Sequence, residues 1–303
     1  MQYPSAAIDL GTNTARLLIG HVDDKRIITP IVHLRRITRL GGGFSEETGI
    51  SAEAMERSLA AMRDFAAEIG KHEVVRTRAV ATSAVRDALN GKAFRDLIRR
   101  ESGIELEIID GETEGVLTLN GVLSGLDDKS GNFLVFDIGG GSTEYTLARG
   151  ESLLFTESLP LGVVRLTEGK ITCDAMEEKI SRELLKLRVS LDKMTLLPHL
   201  ENATLVGTAG TATTLAAISM KMTQYDYRLV NNYVIGLDEI KEIFSTLLPM
   251  TPEERLGVPG MEKGREDLII AGILITLKTM EMFGFDRLKI SDFGLLEGVL
   301  LSI

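Results

Sequence analysis

No tryptophan occurs among the 303 residues, aromatic side chains make up only 5%, and there is a single cysteine, Cys173. So few aromatics leave no stacking platform for unpaired bases. One cysteine allows no disulfide within the chain, which suits a reducing cytosol, so the cytoplasm is the expected compartment. No arginine follows Cys173 in the spacing of a phosphate-binding loop, so it reads as a packing or surface residue and not a nucleophile. A basic excess is missing too: 34 Lys and Arg stand against 44 Asp and Glu, a formal net charge of −10. Nucleic acid and anionic membrane surfaces both call for a basic face, so neither is an expected partner. A small anionic substrate stays open, because screening over about 8 Å makes the lining of a site matter more than total charge.

Long apolar runs are also lacking. The most apolar stretch, Leu268 to Leu277, ends at Lys278 and covers half a membrane span, which predicts a buried helix. Met1 to Leu10 has neither a basic leader region nor a long apolar core, so no signal peptide is expected. No G-x-x-x-x-G-K-[ST] element occurs, which excludes a P-loop nucleotidase. No D-x-D-x-[TV] signature occurs either, so a phospho-aspartate intermediate is not indicated. The four histidines, His21, His33, His72 and His199, are scattered without metal-ligand spacing.

What is present is a repeated unit. A-A-I-D-L-G-T-N-T-A-R-L-L-I (6–19) and L-V-F-D-I-G-G-G-S-T-E-Y-T-L (134–147) each run from an apolar strand through an aspartate and a Gly/Ser/Thr turn to a second β-rich segment. Both predict a β-hairpin, and their aspartates, Asp9 and Asp137, lie a domain's length apart. Between them, Ser51 caps a predicted helix whose apolar face is Met55, Leu59, Met62, Phe65 and Ile69. A strand over Val74–Thr82, a helix over Lys92–Arg100, a strand over Ile104–Ile109 and a helix over Glu112–Leu123 follow. The polar stretch 127–132 marks a boundary. Beyond it, Ile180, Leu184, Leu187 and Leu191 make a helical stripe, and Leu205 ends a short strand that enters a predicted turn over Gly207–Thr214. Thr251-Pro252-Glu253-Glu254 has the form of a capping box. Strands alternating with helices in both halves predict an α/β fold.

The turns carry the chemistry. Backbone N–H groups converging at a turn hold phosphate oxygens, glycine lets the backbone approach closely, and Ser or Thr adds a small donor. Gly11-Thr12-Asn13-Thr14 and Gly139-Gly140-Gly141-Ser142-Thr143 have this composition, and Gly207 to Thr211, with Gly210, has it again. A carboxylate beside a phosphate cradle is repulsive unless a cation intervenes. Asp9 and Asp137 are therefore candidate Mg²⁺ or Mn²⁺ ligands, directly or through water; the plainer alternative is that each caps its turn.

These motifs, with R-L-G-G-G-F (39–44), A-T-S-A-V-R-D-A-L-N (81–90), I-I-D-G-E-T-E (108–114), L-P-L-G-V-V-R-L-T-E (159–168), V-G-T-A-G-T-A-T-T-L-A (206–216) and G-L-L-E-G-V-L (294–300), run nearly end to end. Together they resemble the exopolyphosphatase/guanosine pentaphosphate phosphohydrolase (Ppx/GppA) family, within the superfamily of acetate and sugar kinases, heat-shock chaperones and actin. The G-G-G-S-T turn is shared across that superfamily. Its combination with A-V-R-D-A-L-N and G-E-T-E is specific to the phosphatase branch.

The resemblance implies two actin-like (ribonuclease H-like) lobes of mixed sheet flanked by helices, 1–125 and 126–303, with the active site in the cleft between them. The last helix, from about Glu297, would pack on the first lobe. Longer relatives carry a further C-terminal helical domain. The resemblance also implies hydrolysis of the terminal phosphate of polyphosphate or guanosine pentaphosphate, with Mg²⁺ or Mn²⁺ and as a homodimer. Glu114 matches the family glutamate that activates water, while Thr113 and Gly115 replace a glutamate and an alanine common there. Arg86 matches the arginine that reaches substrate phosphate, a task suited to a planar guanidinium fork. Glu144 either assists the water or metal or accepts structural hydrogen bonds. Arg16, Arg35, Arg36 and Arg39 add positive potential near the site, or each is a solvated surface residue. A kinase of the same superfamily, a non-catalytic sensor of polyphosphate or alarmone, and a filament-forming or chaperone-like relative are the alternatives.

Overall fold

Strand β1 (Ser5–Leu10) shows how the sequence builds the first unit. Ala6, Ile8 and Leu10 join one hydrophobic cluster, and Ala7 between them joins another. The period of two thus buries both faces of the strand, and Asp9 shares the face of Ala7. The computed structural model describes residues 3–44, 48–169 and 172–303.

The chain continues through β2 (Thr14–Val22), β3 (Ile28–Ile37), α1 (Ala52–Ile69), β4 (Arg76–Ala81), α2 (Ser83–Arg86), α3 (Gly91–Ser102), β5 (Leu106–Ile108) and α4 (Gly111–Gly125). It then forms β6 (Asn132–Ile138), β7 (Thr143–Arg149), β8 (Ser152–Leu159), α5 (Val163–Glu168), α6 (Cys173–Lys193), β9 (Ala203–Thr208), α7 (Ala209–Ser219) and α8 (Tyr227–Val230). Strand β10 (Val234–Gly236), α9 (Leu237–Leu247), α10 (Pro252–Arg255), α11 (Ile269–Phe283), β11 (Arg287–Ile290) and α12 (Leu295–Leu301) complete it. Two units result. One comprises the residues up to Ser124 together with Gly294–Ile303, and the other Gly125–Phe293.

The first unit holds a mixed five-stranded sheet in the order β3-β2-β1-β4-β5, antiparallel from β3 to β1 and parallel from β1 to β5. Helices α1 and α3 cover one face through Leu59, Met62, Phe65, Phe94 and Ile98. Ser51 caps α1 by accepting from the N–H of Ala54. Leu117 of α4 and Leu295, Leu296, Val299 and Leu300 of α12 cover the other face. These two helices meet through glycine: a Cβ on Gly121 would lie 1.8 Å from the carbonyl oxygen of Gly294, and one on Gly298 1.8 Å from that of Leu117.

The second unit repeats the plan with a six-stranded sheet, β10-β11-β9-β6-β7-β8. The expected stripe Ile180, Leu184, Leu187 and Leu191 of α6 is fully buried in its core, as is most of α11. No helix of the described residues is long and apolar enough to cross a membrane. The capping box at Thr251 is formed, though it starts a helix of only four residues.

The predicted turn over Gly207–Thr214 is corrected by the structure. The strand continues to Thr208 and α7 begins at Ala209. Ala209 makes the corner with a φ of 62°, a left-handed conformation without glycine. Gly207 lies in the strand, paired with Phe136 of β6 and Ile290 of β11, where a Cβ would press on Phe136, Ala212 and Leu288.

Candidate active site

Each hairpin ends in the same turn. In the first unit the Gly11 N–H donates to the Thr14 carbonyl at 2.9 Å, and in the second the Gly139 N–H donates to that of Ser142 at 2.9 Å. The last paired residues are Leu10 with Ala15 and Ile138 with Thr143, so the four-residue loops correspond position by position. The acidic residue two places before each glycine faces Arg16 in one hairpin and Glu144 in the other.

The first loop is anchored by its carbonyls. Thr12 accepts from the N–H of Gly41 at 2.8 Å, and Asn13 from those of Thr38 at 3.0 Å and Arg39 at 2.9 Å. The N–H groups of Thr12 and Asn13 donate to none of the turn and loop hydrogen bonds among the described residues. The Thr12 hydroxyl lies 3.1 Å from that of Ser83, at the start of α2. The Asn13 side chain is 5% exposed, and neither of its polar atoms has a partner within the chain.

Asp9 is engaged on one side only. Arg16 donates to its Oδ2 through Nη2 at 2.6 Å and Nε at 3.0 Å. Its Oδ1 is buried and has no hydrogen-bond partner in the chain.

Helix α2 carries Arg86 toward α4. Its Nη1 donates to the carbonyl of Ile109 at 3.2 Å and to Oε2 of Glu114 at 3.1 Å. Glu114, in the first turn of α4, is 6% exposed. The helix start is fixed by Asp110, whose Oδ1 accepts from the N–H of Thr113 at 2.8 Å. The backbone N–H and then the side chain of Thr113 hold the Asp110 carboxyl below its ordinary range. Thr113, where the family commonly has glutamate, thus belongs to the capping arrangement that presents Glu114.

In the second unit the loop rests on the start of α5. Gly139 accepts from the N–H of Val163 at 3.0 Å, and Gly140 from those of Val164 at 2.9 Å and Arg165 at 3.2 Å. The N–H groups of Gly140 and Gly141 donate to none of the turn and loop bonds among the described residues. Gly162 is required by this seat, since a Cβ there would lie 2.2 Å from the Gly140 oxygen. Asp137 is buried opposite Glu144. Glu144, 2% exposed, accepts from the hydroxyls of Ser142 and Ser158, each at 2.7 Å.

Three residues expected to bind phosphate are used otherwise. Thr143 is fully buried and its hydroxyl donates to the carbonyl of Leu161. Gly207 sits in the sheet, as above. Thr211 packs its side chain on Gly272 of α11, where a Cβ would lie 2.3 Å from the Thr211 hydroxyl oxygen. Gly210 stays a candidate in the first turn of α7, with the guanidinium of Arg265 laid against it: a Cβ on Gly210 would come within 1.8 Å of its carbon. Sequence reasoning passed over Ser83, Ser158 and Arg265. Ser83 could have been found as the hydroxyl between a strand end and Arg86 in A-T-S-A-V-R. Arg265 has no local signal.

One buried carboxylate oxygen suits a hydrated divalent cation. No group of three or more His, Cys, Asp or Glu side chains that could hold a metal occurs among the described residues. Mg²⁺ keeps several waters and takes one or two carboxylates, and the partnerless, buried Oδ1 of Asp9 supplies one such oxygen.

Paired mixed-sheet units, each opening on a glycine-bearing loop after a strand-borne aspartate, define the actin-like class of fold. A solved structure of a Ppx/GppA enzyme from Aquifex aeolicus superposes with a TM-score of 0.80 at 35% identity, covering 99% of each chain. Exopolyphosphatase 2 of Mycobacterium tuberculosis is 33% identical over 313 residues, 98% of this chain and 98% of that protein. The guanosine-5'-triphosphate,3'-diphosphate pyrophosphatase of Aliivibrio fischeri is 27% identical over 97% of this chain and 58% of its own length. Residues 18–303 match the model of the Ppx/GppA phosphatase family. The chain belongs to that family, and it is a hydrolase.

Proposed function

We propose that the enzyme releases terminal orthophosphate from inorganic polyphosphate, guanosine pentaphosphate or both, with Glu114 as the base that activates water. The observation that carries this reading is the ion pair of Arg86 and the nearly buried Glu114, on two helices of the unit whose first loop offers unused N–H groups. Hydrolysis of a phosphoanhydride asks for a positioned water and neutralised charge, with little covalent work by the protein. Glu114 takes the proton of the attacking water. Arg86 uses Nη1 to hold Glu114 and Ile109, and its Nη2 binds a phosphoryl oxygen. The N–H groups of Thr12 and Asn13, and separately those of Gly140 and Gly141, bind phosphate oxygens.

Asp9, with Asp137 as the second candidate, would hold Mg²⁺ or Mn²⁺, directly or through water. When bound, the cation offsets phosphate charge and polarises the anhydride. Glu144 acts by orienting Ser142 in the second loop. The reading includes a cytoplasmic homodimer that binds neither nucleic acid nor membrane.

The test is phosphate release with Mg²⁺ from short polyphosphate, long polyphosphate, guanosine pentaphosphate and ATP, side by side. Release from at least one of the first three supports the reading, and the rate ratios name the substrate. Binding without release from any of them would make the protein a sensor. Transfer of labelled phosphate to a small acceptor instead of water would make it a kinase.

A further inference from the structure

The first phosphate loop does not stand alone. Its two central carbonyls are stitched to the segment Thr38–Gly41 by the three backbone hydrogen bonds given above, and the Gly42 N–H closes that segment by donating to the carbonyl of Arg39 at 2.9 Å. Gly41 lies so close to the loop that a Cβ there would come 2.3 Å from the methyl of Thr12. Within this segment Arg39 has a φ of 45°, a left-handed conformation that side-chain-bearing residues rarely adopt. Such a turn relaxes unless its surroundings hold it.

One side chain does so. Arg57 of α1 reaches across, its Nε donating to the carbonyl of Thr38 at 2.9 Å and its Nη2 to that of Arg39 at 3.2 Å. The guanidinium fork spans two successive carbonyls, which fixes the peptide plane between them. That plane contains the Arg39 N–H that Asn13 accepts, while Thr38 supplies the neighbouring N–H. The bonds therefore run in series: Arg57 to the Thr38–Arg39 turn, the turn to the carbonyls of Thr12 and Asn13, and those carbonyls facing the turn leave the N–H groups of the loop for phosphate.

We infer that Arg57 is a positioning residue for phosphate binding, acting through the strained Thr38–Gly41 turn to keep the first loop in its anion-accepting form. The inference rests on the phosphohydrolase reading for what the loop binds. Arg57 touches no reacting atom, so its removal weakens phosphate binding and leaves the chemical step nearly intact.

The experiment compares the native enzyme, Arg57→Ala, Arg57→Lys, Arg39→Gly, which measures what the Arg39 charge itself contributes, and the double variant Arg57→Ala with Arg39→Gly. It measures KM and kcat for tripolyphosphate, and tripolyphosphate binding by calorimetry. Arg57→Ala should raise KM and the dissociation constant roughly tenfold with kcat within about threefold, the signature of lost binding that ground state and transition state share. Arg57→Lys, which lacks the planar fork, should recover only part. The double variant should bind better than Arg57→Ala alone, because glycine takes a positive φ without strain and needs no anchor. Circular dichroism of each variant checks directly that the fold is retained. Binding within twofold of native in Arg57→Ala overturns the inference, and so does weakened binding that Arg39→Gly fails to improve. Absence of phosphate release by the native enzyme would count against the hydrolytic reading instead, and the calorimetric comparison would still decide the role of Arg57.

Discussion

Arg86 Nη1 lies 3.1 Å from Oε2 of Glu114, a pair whose side chains are 23% and 8% exposed. The arginine is thus tied to the carboxylate while part of its side chain stays exposed. Arg86→Ala should lower kcat/KM by roughly 10²-fold, the scale of losing one oriented charge stabiliser. It should also destabilise the fold by about 1–3 kcal/mol, because Glu114 keeps its burial and loses this charged donor. Steady-state kinetics and urea unfolding measure the two effects. A variant with reduced activity and unchanged stability would show that the pair is not maintained in solution.

The second loop makes a sharper steric prediction. At Gly162 an added methyl meets backbone, the Gly140 oxygen at 2.2 Å and the Gly141 carbon at 2.3 Å. At Gly210 it meets the far end of the Arg265 side chain, which can swing away. Gly162→Ala should therefore displace the loop, cost about 1–3 kcal/mol and raise KM, as overpacking against an unyielding neighbour does. Gly210→Ala should cost clearly less in stability. Equal losses in thermal unfolding would contradict this ordering.

Asp9 is tested through the cation. Asp9→Asn keeps the shape and an oxygen that can accept from Arg16, which now donates at 2.6 Å, and removes the charge that would attract a cation. The Mg²⁺ concentration for half-maximal activity should rise about 10–100-fold, the range found when a ligand's surroundings are altered. An unchanged Mg²⁺ requirement would remove Asp9 from the metal site.

For Glu144 the two serine hydroxyls at 2.7 Å favour an orienting role over proton transfer. Both hydroxyls donate to one oxygen, Oε1, so a glutamine that presents its amide oxygen there keeps both bonds and loses only the charge. Glu144→Gln should then act mainly on KM, by roughly threefold to tenfold, as two charge-assisted hydrogen bonds weaken to neutral ones. A fall in kcat as large as that of a substitution at Glu114 would place Glu144 in the chemistry itself.

Much of the fold was legible because periodicity and turn chemistry agreed. Both hairpins, the helix capped by Ser51, the stripe of α6 and the buried helix after Leu268 follow from spacing alone. The segment after Leu205 misled for a physical reason. Glycine and threonine mark turns, yet Gly207 is there because Phe136 and Leu288 leave no room for a side chain, and Thr211 because it packs on Gly272. The corner is made by Ala209, whose φ of 62° no composition announces. At the site, the loops, Asp9, Arg86 and Glu114 were readable as motifs. Their supports were not, since Ser158, Arg57 and Arg265 act through contacts distant in sequence and carry no local pattern.

The central claim is that Glu114 activates water, and its most direct test is kcat for phosphate release by Glu114→Gln at saturating substrate and Mg²⁺. The substitution keeps the size of the side chain and an oxygen for Arg86, so substrate should still bind. The account predicts a fall in kcat of roughly 10²–10⁴-fold with KM little changed, the usual share of general-base catalysis. Turnover within a few-fold of native would contradict it.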